Sequence, residues 1–300
     1  MAGIVDGLLL RSLERIGREI DAAFDARLPP PDDARDTLVE AMRYAAIGGG
    51  KRIRPLLLTA TADLYRVDRH TAVCAGMAIE SIHAYSLIHD DLPCMDDDDL
   101  RHGKPTVHRA YGEATAVLAG DSLHALAFDI LSDAKTFTDP FVRAELVATL
   151  ARASGHEGMA GGQMMDMVAA NRTFDLHTVT RLQQLKTGAL LGAAVEMGAI
   201  LGRVPVDGRA HLRAYARDIG LAFQIADDLL DFEGDEAKAG KTLRKDKGQG
   251  KQTFVSLLGA ERARGQAEAL VDQAIGHLGQ HGKEAELLRA VARYIVERDR

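Results

Sequence analysis

The fourteen residues from Asp90 to Gly103, DDLPCMDDDDLRHG, carry six aspartates in their first ten positions. Like charges this dense repel one another, so the run is either a solvated acidic surface or a site for cations. A second acidic cluster, Asp227, Asp228 and Asp231, lies late in the apolar stretch QIADDLLDFEGD. On a helix, positions four apart differ by about 40° around the axis and ~6 Å along it, so Asp227 and Asp231 share a face. Two carboxylates that close, among Leu229, Leu230 and Phe232, raise each other's pKa unless a cation intervenes. The alternative is an exposed acidic helix end. Hard oxygen ligands favour magnesium, which takes few carboxylates and completes its shell with water and substrate phosphate. Asp90 and Asp96 are roughly 120° out of phase on an unbroken helix. Pro93 removes a helical hydrogen bond between them, and a break there swings Asp96 back beside Asp90. An EF-hand does not fit, because Leu100 and Arg101 stand where that loop needs oxygen and glycine.

Cationic residues accompany the acids. GGGKRIRP places Lys51, Arg52 and Arg54 after a glycine turn, and backbone amides with lysine and arginine suit a phosphate. The spacing is not that of a P-loop. Further on come Arg101, then Lys186 and Thr187 in QLKTG, then Lys241 and Lys251 flanking a Gly- and Lys-rich stretch. Taken singly, each reads as a surface charge. Two acidic clusters and several phosphate-type sites in one apolar helical chain point to a diphosphate held by magnesium at the mouth of an apolar cavity. No nucleophile–base pair stands out.

The elements that must position these groups read as helices. Leu9, Leu13, Ile16, Ile20 and Phe24 form one apolar stripe at spacings of three and four. Three consecutive prolines end that helix. DDARDTLVEAMRYAAIGGG opens with capping acids and closes on glycines. The stretches 70–92, 113–134, 140–155, 177–202 and 208–233 read as long Ala/Leu-rich helices, several apolar nearly all round, as in the interior of a large bundle. No stretch alternates convincingly as a strand. The expectation is one all-α domain over residues 1–300. A net charge of −7 argues against a nucleic-acid surface. Two cysteines, Cys74 and Cys94, are too few for a disulfide framework and suit a reduced, cytoplasmic setting. The N-terminal residues lack a signal-peptide pattern, and no stretch is expected to approach the ~20 apolar residues of a membrane span.

In order along the chain, GGGKRIRP, HAYSLIHDDLPCMDDDDLRHGKPTVH, GEATAVLAGDSL, GGQMMD, KTGALL, GLAFQIADDLLDFEGD and YIVERDR resemble the motifs of trans-isoprenyl diphosphate synthases. Among these the chain is most similar to the bacterial farnesyl diphosphate synthases. The resemblance implies the isoprenoid synthase fold, a single helical bundle around a central apolar cavity. It implies condensation of isopentenyl diphosphate with dimethylallyl and geranyl diphosphate to (2E,6E)-farnesyl diphosphate, by ionisation, condensation and elimination. Three magnesium ions, replaceable by manganese, would be held by Asp90, Asp96 and Asp227, with Asp91 and Asp231 assisting. Arg101, Lys186, Gln224 and Lys241 would grip the allylic diphosphate, with Thr187 beside it and Lys251 on the same late loop. Lys51, Arg54, His83 and His102 would face isopentenyl diphosphate. Tyr85, next to Ser86 and ~7.5 Å deeper than Asp90 along the helix, would floor the cavity and limit chain length. Gln163 and Asp166 would stand behind the metals, with Met164 and Met165 as core. Residues 238–251, with Arg298 or Arg300, would close over the diphosphate, and the apolar stretch 113–131 would supply a homodimer face. No nucleic-acid or membrane partner is implied. Three other readings compete. A geranylgeranyl diphosphate synthase would differ mainly in cavity depth. A terpene cyclase would lack Lys51, Arg54 and the second aspartate motif in this form. A non-catalytic synthase subunit would have lost one aspartate motif.

One position departs from the family pattern. Two consecutive arginines are usual where this chain has Arg101-His102, and histidine offers fewer donors and titrates near neutrality. His102→Arg is therefore expected to lower the Michaelis constant for isopentenyl diphosphate and flatten its pH dependence; steady-state kinetics between pH 6 and 8 check this.

Overall fold

The computed structural model describes residues 7–169, 171–233 and 252–297. The apolar stripe of the first segment makes α1 (Gly7–Arg27), which buries Leu9, Ile16, Ile20 and Phe24. Helix α2 (Asp36–Ala46) begins later than its acids suggest. Arg35 occupies the N-cap without a side-chain cap, and Asp33 accepts the Arg35 backbone N–H at 2.9 Å instead. The glycine turn after α2 has Gly48 and Gly50 at φ 74° and 71°, a region open to glycine and strained for most residues. It leads into α3 (Ile53–Asp63).

Helix α4 (Arg69–Asp90) is capped by the Asp68 carboxylate, which accepts from the Thr71 N–H at 3.0 Å. It ends at the first acidic run. Two short strands, β1 (Leu100–Arg101) and β2 (Lys104–Pro105), pair antiparallel around His102-Gly103. This hairpin, unforeseen from the sequence, is too short to show alternation, and both its turn residues have positive φ. Then follow α5 (Val107–Tyr111), α6 (Glu113–Ser132), α7 (Pro140–Ser154) and α8 (Met159–Ala169). The expected helix 177–202 is interrupted. It comprises α9 (Leu176–Gln183), a π turn (Gln184–Gly188) and α10 (Ala189–Leu201). The chain continues through α11 (Ala210–Glu233), α12 (Phe254–Leu258), α13 (Ala260–His277) and α14 (Glu286–Glu297).

The interior helices are α3, α4 and α10, each buried around most of its circumference. Helix α4 packs on α6, α3 and α10, and α11 packs on α13. Tyr215 of α11 is fully buried and its hydroxyl donates to the Leu288 carbonyl at 2.7 Å, pinning α11 to α14. Two expectations need correction. Helices α4 and α6 are both long and apolar enough to cross a membrane by length and composition, because alanine and scattered branched aliphatic residues lift the mean hydropathy without an unbroken apolar run. For α4 the test reflects a core helix, 78% buried, whereas the α6 window is only 39% buried. Met164, expected in the core, is exposed.

The closest approach of α10 to α3 is at Gly198. A Cβ there would lie 2.6 Å from the Leu58 carbonyl oxygen and 2.7 Å from the Thr61 Cβ. Gly198→Ala must push two core helices apart, at a cost of about 1–3 kcal/mol. A lower urea midpoint with an unchanged m-value is the expected outcome.

Candidate active site

The first acidic run folds back on the end of α4. The Asp96 N–H donates to the Asp90 carbonyl at 2.8 Å, and the Asp98 N–H to the Asp91 carbonyl at 3.2 Å. The break at Leu92–Met95 thus returns Asp96 to Asp90, as the position of Pro93 suggests. Asp91 is buried and bound to Arg101, whose Nε donates to Oδ1 at 3.1 Å. Asp98 reaches the same guanidinium at 3.4 Å. Asp97 and Asp99 lie outward and pair with Arg109.

Burial raises the Asp90 carboxyl to about 6, with Lys186 opposing the shift and Asp96 adding to it. Lys186 comes from the π turn. Its Nζ donates to Asp166 Oδ2 at 2.7 Å. Burial works against its charge, but Asp166, Asp90 and Asp96 together outweigh burial and hold the ammonium above its ordinary range. Helix α8 approaches the π turn through Gly162, where a Cβ would meet the Lys186 nitrogen at 2.2 Å. This contact brings Asp166 within reach of Lys186.

The second acidic cluster caps α11 on the other side of the π turn. Thr187 Oγ1 donates to Gln224 Oε1 at 3.1 Å, and Gln224 Nε2 donates to Asp228 at 3.2 Å. Asp228 is buried and accepts the Phe254 N–H at 2.8 Å, so it ties α11 to α12. Asp227 and Asp231, four apart on the same helix, are both half-buried. Arg54 lies within electrostatic reach of Asp227 and Glu80, and burial pushes its guanidinium down against both carboxylates.

The remaining cations gather on the α2–α4 side. A cavity of about 90 Å³ is lined by Gly48–Gly50, Glu80, His83, Arg101, His102 and Lys104 among others. Arg52 also lines this cavity, but its guanidinium is committed within the protein. It is buried and donates to Glu80 at 2.8 Å, to Asp21 at 2.7 Å and to the Ala46 carbonyl at 2.6 Å. The expectation that it joins Lys51 and Arg54 as a phosphate-type cation does not hold. The network fixes the glycine turn instead. Glu80, buried in an apolar helix, gave no signal in the sequence. Burial, then Arg54, Arg52, His102 and Arg101, hold His83 well below the usual histidine range; burial followed by Arg101 and Arg52 also lowers His102. Lys51 is exposed at the rim, with Nζ 5.5 Å from the Tyr294 ring centroid.

Deeper along α4, Tyr85 stands edge-to-face with His124 at 4.9 Å between centroids, and His124 with Phe128 at 5.3 Å. The Ser86 hydroxyl is spent on the His83 carbonyl at 2.9 Å. His124 and Phe128 belong to α6, and nothing in the sequence linked them to Tyr85. Lys241, Lys251, the 238–251 loop, Arg298 and Arg300 lie outside the described residues.

No group of three or more His, Cys, Asp or Glu among the described residues is arranged to hold a metal ion by itself. Oxygen donors are nevertheless present in the Asp90–Asp96 and Asp227–Asp231 pairs, and Asp90 is destabilised as an anion by burial. That fits magnesium, which uses one or two carboxylates together with substrate phosphate rather than a closed protein cage.

Comparison with known proteins agrees with this geometry. A family profile described as Polyprenyl synthetase matches residues 35–295. A farnesyl diphosphate synthase of Escherichia coli (strain K12) is 44% identical over 97% of this chain and 99% of its own. The chloroplastic geranylgeranyl pyrophosphate synthase 3 of Arabidopsis thaliana is 43% identical over 94% of this chain and 79% of its own. The crystal structure of an FPP/GFPP synthase from Zymomonas mobilis superposes with a TM-score of 0.88 at 60% identity, covering 96% of this chain and 98% of its own. A Helicobacter pylori geranyltransferase, solved in complex with magnesium and isoprenyl diphosphate, gives 0.80 at 32% identity, covering 95% and 96%.

The Asp90 shift has a measurable consequence in chelator. An unfolded aspartate ionises near ~3.9, whereas Asp90 in the fold ionises near about 6. Folding therefore carries no penalty from this group below the unfolded pKa, a growing one between the two values, and the full one above the folded pKa. Asp90→Asn is expected to raise the melting temperature at pH 7.5 and leave it unchanged at pH 3.5.

Proposed function

This chain belongs to the polyprenyl synthetase family and is a prenyltransferase of isoprenoid biosynthesis, and from that premise we propose that it makes (2E,6E)-farnesyl diphosphate from isopentenyl diphosphate and dimethylallyl or geranyl diphosphate. The observation that carries the reading is the division of charge at the cavity mouth. Lys186 and Arg101 serve the Asp90–Asp96 side, whereas Arg54, His83 and His102 gather beside Glu80. Two diphosphates of opposite role need two such sites.

On the allylic side, Asp90, Asp96, Asp227 and Asp231 would hold three magnesium ions, or manganese in their place. When bound, the metal supplies Lewis-acid stabilisation of charge building on the leaving diphosphate. Asp91 assists by fixing Arg101, and Arg101 and Lys186 hold the diphosphate oxygens as bond cleavage charges them. We assign Gln224, Lys241 and Lys251 to the same group of contacts. The Thr187 hydroxyl and Lys186 carbonyl direct negative dipole ends toward the carbocation left behind. Lys51, Arg54, His83 and His102 orient isopentenyl diphosphate so that its double bond attacks that cation. The departing diphosphate then takes the proton lost on elimination. The apolar cavity excludes water, which would otherwise capture the cation.

Tyr85, backed by His124 and Phe128, stops growth at fifteen carbons in this reading, with Ser86 beside it. A geranylgeranyl product is the second reading, favoured by the similarity to the plant geranylgeranyl synthase. We also propose one domain over the whole chain, a cytoplasmic location suited to the free thiols Cys74 and Cys94, and a homodimer. The half-exposed α6, with Val117 at 41% and Leu118 at 55% exposure, supplies the dimer face.

Incubation with magnesium, isopentenyl diphosphate and geranyl diphosphate, followed by the carbon count of the product, tests the assignment. Fifteen carbons are expected, and a dominant C20 or C25 product would replace it. Tyr85→Ala should shift the product beyond fifteen carbons; an unchanged spectrum removes Tyr85 as the stop.

A further inference from the structure

Gln163 is 9% exposed, and neither its amide nitrogen nor its carbonyl oxygen has a hydrogen-bond partner. A buried primary amide with both ends unmet costs folding free energy, and apolar replacement of the same shape removes that cost. Its position in the fold suggests what offsets the cost. Met159, Gly162 and Gln163 are the buried positions along most of α8, whereas Met164 and Met167 are exposed. Asp166, three residues on and so on the same face, is the carboxylate that holds Lys186. Gly162 is the point where the α8 backbone meets the π turn. Gln163 therefore lies one helical turn along α8 from Asp166, the carboxylate that holds Lys186, on the buried face of that helix.

The other glutamine of the site contrasts with it. Gln224 has both ends of its amide committed, accepting from Thr187 and donating to Asp228. Its dipole is held by the protein whatever the substrate does. The uncommitted amide capacity lies in Gln163. We propose that Gln163 contacts the first isoprene unit of the bound allylic diphosphate and points its carbonyl oxygen at the charge that develops there. This rests on the prenyltransferase reading above and adds a catalytic residue to it.

In that step the allylic carbon–oxygen bond breaks and its electron pair leaves with the diphosphate. The positive charge is shared between the first and third carbons, and the isopentenyl double bond supplies the pair for the new carbon–carbon bond. Gln163 gives and takes no proton and no electron pair. It contributes a fixed dipole in a water-free site, where such a dipole is most effective.

The test compares Gln163→Met, similar in volume but without the amide, with Gln163→Glu, which keeps an oxygen at the same reach. Both are assayed as magnesium-loaded full-length enzyme. Gln163→Met is expected to lower the single-turnover rate with geranyl diphosphate about 10- to 100-fold. It should leave both Michaelis constants within about threefold and the melting temperature equal or higher. The rate loss should grow with an allylic substrate carrying fluorine at its second carbon, because fluorine further destabilises the cation. Gln163→Glu should recover most of the rate. A methionine variant as fast as the parent would overturn the proposal, as would a glutamate variant as slow as the methionine one. If methionine unfolds the protein, the glutamate variant's rate with the fluorinated substrate still decides. The parent enzyme's own turnover is measured alongside, so failure of the prenyltransferase reading would appear as no product from any of the three.

Discussion

Asp90 ends a helix that is buried along most of its length, and the fold returns a second aspartate beside it. Apolar surroundings and a neighbouring like charge both disfavour its ionised form, and the rest of the site is arranged around that conflict. Lys186 relieves it, but a lysine on a regular helix running into α10 would have to reach past its own turn. The π turn widens the backbone at Gln184–Gly188, a local irregularity common at functional sites. Asp166 then holds the ammonium from the opposite side at 2.7 Å. Lys186 is thereby kept charged despite burial.

The α2–α4 side follows the opposite rule. There the buried acid is Glu80, and Arg52 neutralises it within the protein at 2.8 Å. Breaking such a buried pair by removing one partner leaves an unmatched charge and is costly. The pair holds the glycine turn, whose positive φ values at Gly48 and Gly50 keep the backbone open beside His102. Arg54 is buried nearby, with Glu80 and Asp227 facing its charge. His83 and His102 are both depressed, so they offer neutral imidazoles rather than added cations at pH 7.

Much of this was legible in the sequence, and the failures have physical causes. Spacing in threes and fours identified α1, and prolines and glycines marked where helices stop, because those signals are local. The return of Asp96 to Asp90 was legible because proline imposes a break whatever surrounds it. The π turn was not, since QLKTG fits a regular helix equally well and only packing against Gly162 distinguishes the two. Arg52 and Arg54 are two residues apart and equally basic; their different partners depend on Glu80, a long-range neighbour. Met164 looked like core because composition does not say which face of α8 is turned inward. The pairing of Tyr85 with His124 joins positions 39 apart, and no periodicity reports such a contact.

Helix α6 shows how tightly cavity depth is tied to packing. Against α4 it comes close enough that a Cβ at Gly120 would meet the His89 ring at 2.2 Å. His89 lies one turn from Tyr85, edge-to-face with it at 5.8 Å, and its Nε2 is 3.1 Å from the Val117 carbonyl. Tyr85 is thus held from two directions, by His89 on its own helix and by His124 and Phe128 on the next. The same helix turns Val117 and Leu118 outward. A movement of α6, whether from a substitution at Gly120 or from an altered association surface, would shift the rings that back Tyr85. The position of Tyr85 is then a property of the α4–α6 packing as a whole. That makes close relatives with different product names, such as the FPP/GFPP synthase at 60% identity, compatible with one unchanged diphosphate-binding mouth.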